Sequence, residues 1–164
     1  MNDLKLGIMH KCQRCGECCR TLFGKKFGAA ITTREKIRLE YLAKQYGVTV
    51  NFMPLTKNMV GEITTWQFSD RKCPFQTGSN ECRIYGSRPL LCKAYPCMPY
   101  GVGFCHMIYN TYGRSPVVFS PEQASSGLLY IEQVASLIKS ATWIYNMDKD
   151  RWEVNRYVPP KLTI

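Results

Sequence analysis

Apolar and polar residues alternate at helical spacing in a first segment, ITTREKIRLEYLAKQYGV. This spacing predicts a helix from Thr33 to Tyr46, with Thr33 as its N-cap and Gly47 as its stop. The predicted apolar face consists of Ile37, Tyr41 and Leu42. We expect this face to pack against the rest of the protein.

A second helical pattern covers SPEQASSGLLYIEQVASLIKSA. Ser120 is the predicted N-cap, Pro121 occupies the first helical position, and Gln123 completes a capping box. One face carries Leu128, Ile131, Ala135 and Ile138. Apolar residues at this spacing predict a helix that packs into the core rather than a cofactor-binding surface.

Alternation with the period of a β-strand occurs in two further places. GEITTWQFSD reads as a strand with Trp66 and Phe68 on one face, and TWIYNMDKDRWEVNRYV reads as two strands around an MDKD turn. The aromatics of this hairpin could stack on bases, but aromatic residues at strand spacing more often serve packing. Between Cys73 and Cys105 the chain is rich in Pro, Gly and Cys without periodicity, which predicts loops.

These patterns together predict a mixed α+β fold. We expect a small single domain over residues 1–164, with two main helices, a C-terminal β-hairpin and a cysteine-rich loop region organised by metal. Within it, residues 11–106 form the cysteine-cluster region and residues 115–164 the helix and hairpin extension. A chain of 164 residues with 45% hydrophobic content can form one core of ordinary size.

Charge and hydropathy indicate which partners and which cellular location to expect. The formal net charge is +10, and residues 1–50 carry ten Lys/Arg against four Asp/Glu, an excess that can attract nucleic acid or an acidic protein. Bound metal thiolates would offset part of this charge. The chain has no apolar run long enough to span a membrane and no apolar stretch of signal-peptide length, which predicts a cytoplasmic protein.

The cysteines carry the candidate chemistry. Thiols stay reduced in the cytoplasm, so cysteines there suggest metal ligands before disulfides. The predicted metal ligands are Cys12, Cys15, Cys18, Cys19, Cys73, Cys82, Cys92, Cys97 and Cys105. The spacing Cys12-x2-Cys15-x2-Cys18 matches the first three ligands of the ferredoxin run, in which a remote Cys-Pro completes the cluster.

The adjacent pair Cys18 and Cys19 favours more than one metal ion. Neighbouring side chains point in different directions, so the two thiolates suit two centres, or two metals of one cluster, better than a single tetrahedral ion. Structural zinc remains a serious alternative because zinc and iron–sulfur clusters share thiolate ligands. A disulfide scaffold would require an oxidising compartment. His10 and His106 lie near cysteines but are not assigned as ligands.

The runs CQRCGECC and CPFQTGSNECRIYGSRPLLCKAYP resemble the CxxCxxCC cysteine-cluster family of zinc- or iron-chelating proteins. The resemblance covers residues 11–106 and includes seven cysteines in order together with Arg88-Pro89. It implies an eighth ligand, for which Cys97 and Cys105 are both candidates. Flagellin N-methylase, a similar family member, is linked to a 4Fe-4S cluster and lysine methylation. The resemblance therefore favours one or two iron–sulfur clusters over zinc.

Two functions follow from these observations. The first is an iron–sulfur protein with a redox or methyl-transfer role, as an oxidoreductase or a relative of protein methyltransferases; whether it is an enzyme stays undecided. The second is a zinc-stabilised, non-catalytic module that binds nucleic acid or an acidic protein. Its contact surface would consist of Lys11, Arg14, Arg20, Lys25 and Lys26.

Arg88 is a candidate for binding near the cofactor. An arginine four residues before Cys92 can donate hydrogen bonds to cluster sulfurs or buried carbonyls and so tune the site. The alternative is a salt bridge to a nearby carboxylate.

Overall fold

The computed structural model describes residues 8–9, 19, 29–95, 97–98, 101–102, 117–118 and 120–156. The helices in these ranges are α1 (Thr33–Tyr46), α2 (Leu90–Ala94), α3 (Pro121–Tyr130) and α4 (Ser136–Ser140). A 3₁₀ turn covers Tyr85–Ser87, and a π-helical turn, Ile131–Ala135, joins α3 to α4. The strands are β1 (Ile8–Met9), β2 (Ala30–Thr32), β3 (Phe52–Lys57), β4 (Ile63–Phe68), β5 (Cys97–Met98), β6 (Gly101–Val102), β7 (Val117–Val118), β8 (Trp143–Asn146) and β9 (Arg151–Val154).

Five of these strands form one antiparallel sheet in the order β2-β4-β3-β8-β9. Ile31 pairs with Trp66 at one end of the sheet, and Lys57 pairs with Trp143 where β3 meets the C-terminal hairpin. The hairpin is therefore part of the same sheet as the strands around α1. This arrangement confirms the predicted α+β class, the strand containing Trp66, and the hairpin, whose turn spans residues 147–150.

Helix α1 begins and ends through local backbone chemistry. Thr32, not the predicted Thr33, is the N-cap: its hydroxyl accepts a hydrogen bond from the Glu35 N–H at 3.2 Å, and the Glu35 carboxylate accepts one from the Thr32 N–H at 3.0 Å. The shift by one residue follows from this reciprocal pair, which requires Glu at the third helical position. Gly47 ends the helix in the left-handed conformation, as predicted.

The predicted apolar face of α1 is wrong for two of its three residues. Ile37 and Tyr41 are 62% and 60% exposed, and only Leu42 of the predicted set packs partly against the core. The buried stripe consists instead of Glu35, Leu39 and Ala43, spaced four residues apart. Glu35 also accepts a hydrogen bond from the Leu90 N–H. This bond holds the buried stripe of α1 against the start of α2.

Helix α3 begins as predicted, with Ser120 as N-cap, Pro121 at the first position and Gln123 in the capping box. The predicted core face is wrong in part, because Leu128 is 69% and Ile131 is 44% exposed, although Ala135 is buried and Ile138 partly buried. The residues buried along α3 and the π-helical turn are Gln123, Ser126, Gly127, Tyr130, Val134 and Ala135. Small residues at 126 and 127 let α3 lie close to α2, and this close packing selects the buried face.

The core lies between the sheet and the helices. Ile31 and Leu55 contribute from the strands, Leu39 from α1, Leu91 from α2 and Val134 from the π-helical turn. Among the residues that the structure describes, no helix has both the length and the apolar character needed to cross a membrane.

Candidate metal centre

The structure describes four of the nine predicted ligands with their side chains. Cys19 occupies a helical position, and it is half-buried, as are Cys73, Cys82 and Cys92. Cys97 is described only as a backbone position in β5, which pairs with β6. The other predicted ligands, Cys12, Cys15, Cys18 and Cys105, lie outside the described residues, as do the two histidines and the basic residues Lys11, Arg14, Arg20, Lys25 and Lys26.

Cys73 and Cys82 lie at the two ends of one tight loop. The Gln76 N–H donates to the Cys73 carbonyl at 3.1 Å, Gln76 forms a β-bridge with Cys82, and the Arg83 N–H donates to the Phe75 carbonyl at 2.9 Å. Phe75 is 1% exposed and anchors the loop in the core. The loop is thus closed by its own backbone bonds and fixed by one buried ring.

The turn of this loop is stabilised by residues suited to it. Asn80 adopts the left-handed conformation at φ 63°, which asparagine tolerates better than most residues. The Thr77 N–H donates to the Glu81 carbonyl at 2.8 Å, and the Glu81 N–H donates to the Thr77 hydroxyl at 3.1 Å. These bonds bring the chain back toward Cys73 after the turn.

Cys92 lies on α2, a helix of five residues. Leu91 and Ala94 are buried on either side of it, so the helix contacts the core through the residues that flank the cysteine. The Leu90 N–H at the start of α2 donates to the Glu35 Oε1 at 2.8 Å. The cysteine pattern did not indicate Glu35, although the Thr-x-x-Glu sequence at Thr32 carries the signal of a capping box.

Three of the predicted ligands lie against the same core. Cys73, Cys82 and Cys92 each pack partly against the cluster that contains Phe75, Ile84 and Leu91. Thiols are the ligands that zinc, Cu(I) and iron–sulfur clusters prefer, and apolar neighbours limit the access of water. The donor set therefore fits a soft metal ion or cluster.

The described residues alone do not form a metal site. Within them, no three side chains of His, Cys, Asp and Glu are grouped closely enough to hold a metal ion.

Arg88 contacts two carbonyls of the segment between Cys82 and Cys92. Its Nε donates to the Tyr85 carbonyl at 2.8 Å and its Nη1 to the Cys92 carbonyl at 3.4 Å, while the guanidinium lies 3.8 Å from the centre of the Tyr85 ring. No carboxylate in the described ranges forms a salt bridge with Arg88. Arg88 therefore stiffens the backbone around Cys92, and its role toward a cofactor stays a prediction.

The aromatic residues of the C-terminal hairpin pack on one another and on a lysine. Tyr145 and Trp152 meet edge-on with ring centres 5.2 Å apart, and the Lys57 ammonium lies 4.0 Å from the Trp152 ring centre. These contacts support the packing interpretation of the hairpin aromatics.

A comparison with known families identifies the cysteine region. The CxxCxxCC family model, whose description reads "Putative zinc- or iron-chelating domain", matches residues 11–118, which are about two thirds of the chain. No curated protein and no solved structure matches the chain. The family match covers all nine cysteines and Arg88.

Proposed function

Because the chain belongs to the CxxCxxCC family of zinc- or iron-chelating domains, we propose that its cysteines hold an iron–sulfur cluster of the 4Fe-4S type. Family membership supports the binding of zinc or iron. We further propose that the metal is an iron–sulfur cluster rather than a zinc ion, and that this cluster has a redox role.

The observation that carries the proposal is that Cys73, Cys82 and Cys92 are each half-buried and each pack against the one core cluster. They come from two separate segments, a closed loop and a short helix, and each segment has its own anchor in the core. Thiols from separate segments that pack against one core cluster support a centre to which the other cysteines contribute. We propose that Cys12, Cys15, Cys18 and Cys19 supply further ligands, with Cys97 or Cys105 as the eighth.

The preference for iron over zinc rests on the sequence of the first cysteine group. Cys12, Cys15 and Cys18 have ferredoxin spacing, and the adjacent thiols of Cys18 and Cys19 suit two metal ions better than one tetrahedral zinc ion. Nine cysteines suffice for two four-coordinate centres. A second centre is compatible with the same ligands.

A redox role follows from complete cysteine ligation. When bound, a cluster whose irons are all held by cysteine supplies one-electron transfer. The chain's own residues would hold the ligands and limit water: Phe75 and Leu91 through burial, and Arg88 through its bonds to carbonyls. Methyl transfer is less well supported, because no Gly-rich loop follows a strand in this sequence.

Serine substitution of the three described ligands tests the assignment. Cys73→Ser, Cys82→Ser and Cys92→Ser are purified without oxygen, and iron, zinc and acid-labile sulfide are measured in each. We expect each variant to lose most of its iron and sulfide, because metal binding and the order of this loop region depend on each other. Ser87→Ala is the matched control, since Ser87 is half-buried in the same segment and is not a ligand.

Three variants that keep wild-type iron and sulfide would contradict the proposal. A protein that holds stoichiometric zinc without sulfide would instead support a structural zinc site. In that case the zinc-stabilised binding module becomes the favoured function. The pair Cys97→Ser and Cys105→Ser identifies the eighth ligand, because only the ligating position should cost metal.

A further inference from the structure

We propose that Glu35 is a positioning residue for the metal centre and that it acts by holding the helix that carries Cys92. The inference rests on the proposed function, since it assigns Cys92 as a ligand. It concerns a residue of α1 that lies far in sequence from every cysteine. The structural basis is that the two carboxylate oxygens of Glu35 accept hydrogen bonds from two different segments, Oε2 from the Thr32 N–H and Oε1 from the Leu90 N–H.

Glu35 is 7% exposed, and each of its oxygens has different partners. Its Oε2 accepts from the Thr32 N–H at 3.0 Å and lies 3.5 Å from the Thr32 hydroxyl, which completes the cap of α1. Its Oε1 accepts from the Leu90 N–H at 2.8 Å. One side chain therefore joins the start of α1 to the start of α2.

Helix α2 is too short to hold its own position. Isolated helices of fewer than about 12 residues are marginal in water, and α2 has five residues. Its place therefore comes from the burial of Leu91 and Ala94, from packing against α3, and from hydrogen bonds at its ends, of which the Glu35 bond holds the start. Cys92 lies two residues after the bond to Glu35, within the same helical turn.

Arg38 makes a second connection from the next turn of α1. Its Nη2 donates to the Arg88 carbonyl at 3.4 Å, two residues before Leu90. Arg88 in turn donates to the Cys92 carbonyl. Helix α1 thus contacts the Cys92 segment at two neighbouring points, of which the buried Glu35 bond is the shorter.

Only a carboxylate can accept both of these hydrogen bonds, one from the Thr32 N–H and one from the Leu90 N–H. An ionised Glu offers acceptors on two oxygens, whereas a Gln amide has one acceptor oxygen and a nitrogen that only donates. In Glu35→Gln the amide nitrogen must face either the Thr32 N–H or the Leu90 N–H. One of these buried donors then loses its partner, which is costly.

The consequence for the metal centre is a change in the position of one ligand. Metal–thiolate bonds tolerate deviations of only about 0.2 Å, so a displaced Cys92 backbone weakens coordination. Groups that orient metal ligands typically change metal affinity by about 10–100-fold when mutated. We expect Glu35→Gln to release metal at least about tenfold faster than the wild-type protein.

The test compares Glu35→Gln with Thr32→Val in the metal-loaded protein. Thr32→Val removes the capping hydroxyl of α1 but keeps the Thr32 N–H and the Leu90 bond, so it weakens the same helix terminus without touching α2. Metal transfer to a chelator is followed at a temperature at which circular dichroism shows all variants folded. We expect fast release from Glu35→Gln and a wild-type rate from Thr32→Val.

Equal release rates in the wild type and both variants would overturn the inference and leave the proposed function standing. Equally accelerated release from both variants would also overturn it, because the effect would then come from helix stability alone. A wild-type protein that binds no metal would overturn the proposed function together with this inference.

A second measurement on the wild-type chain covers the case in which Glu35→Gln does not fold. Coupling between two sites is reciprocal, so metal binding should slow hydrogen exchange at the two amides that donate to the Glu35 carboxylate. We expect amide hydrogen exchange at Leu90 and Thr32 to accelerate when metal is removed, while exchange at Asn155 in the C-terminal hairpin region stays unchanged. Exchange at Leu90 that is equally slow with and without metal would overturn the inference.

Discussion

Phe75 gives a direct test of how the cysteine loop is held. It lies between Cys73 and Cys82, is 1% exposed and is among the largest fully buried side chains of the described residues. Its carbonyl also accepts the Arg83 N–H, so ring and backbone fix the same point of the loop. The perturbation is Phe75→Ala, which removes the ring and keeps the backbone bond.

The expected loss of stability follows from the buried area. An aromatic side chain buries about 150–250 Å². At about 25 cal/mol per Å² this corresponds to about 4–6 kcal/mol for the whole side chain. Phe→Ala substitutions in cores cost about 3–5 kcal/mol, and we expect this range here. Domains have unfolding free energies of about 5–15 kcal/mol, so the loss is a large fraction of the total.

The assay is urea denaturation of the metal-free and metal-loaded protein under anaerobic conditions. We expect a lower midpoint with an unchanged slope in both forms, and a reduced metal content because Cys73 and Cys82 lose their common anchor. Tyr41→Ala is the control, since Tyr41 is 60% exposed and its loss should change the free energy of unfolding by less than about 0.5 kcal/mol. A loss below about 1 kcal/mol in Phe75→Ala, with full metal retention, would refute burial of Phe75 as the anchor of this loop.

Two further predictions concern Arg88 and Glu153. Arg88→Ala should shift the reduction potential or shorten the lifetime of the bound cluster, because the hydrogen bonds to the Tyr85 and Cys92 carbonyls are lost. The control is Arg83→Ala, since Arg83 is exposed. A potential and lifetime equal to those of this control would contradict the role of Arg88. Hydrogen bonds from Asn146, and then from Lys149 and Arg151, lower the pKa of Glu153 from 4.5 to about 2. The ionised form therefore stabilises the folded hairpin above pH 4.5, and this contribution is lost as the pH falls from 4.5 to about 2. Thermal unfolding of Glu153→Gln should show a weaker pH dependence in this window, and a wild-type dependence would count against the assignment.

The sequence predicted the elements whose signals are local. The start of α3 follows from its cap, the end of α1 from its stop glycine, and the C-terminal hairpin from alternation around MDKD. The N-cap of α1 was misplaced by one residue because Thr32 and Thr33 are adjacent and both are good caps. Glu35 decides between them, since it is the third residue after Thr32.

The buried faces of the helices could not be predicted in the same way. Ile37 and Tyr41 of α1 and Leu128 of α3 are apolar at helical spacing but exposed. Burial is decided by partners that are distant in sequence, such as the contact of Glu35 with Leu90 and the close approach of α3 to α2. A periodicity reports that a helix is amphipathic but not which of two stripes meets the core.

The candidate site was predicted as a set of ligands without its geometry. Cysteine spacing indicated Cys73, Cys82 and Cys92, which the structure places half-buried against the core, and their role as ligands stays a prediction. Spacing could not indicate that Phe75 anchors the first two or that Glu35 holds the helix of the third, because both contacts depend on the tertiary fold. Arg88 was predicted from its position, and its carbonyl contacts agree with one of the two expected modes.

The most direct test of the central claim is the composition and visible spectrum of the wild-type protein purified without oxygen. Iron, zinc and acid-labile sulfide are measured in the same sample, and the spectrum is recorded before and after dithionite. We predict a brown protein that contains iron and sulfide in equal amounts and bleaches on reduction. A colourless protein with stoichiometric zinc and no sulfide would contradict the iron–sulfur account.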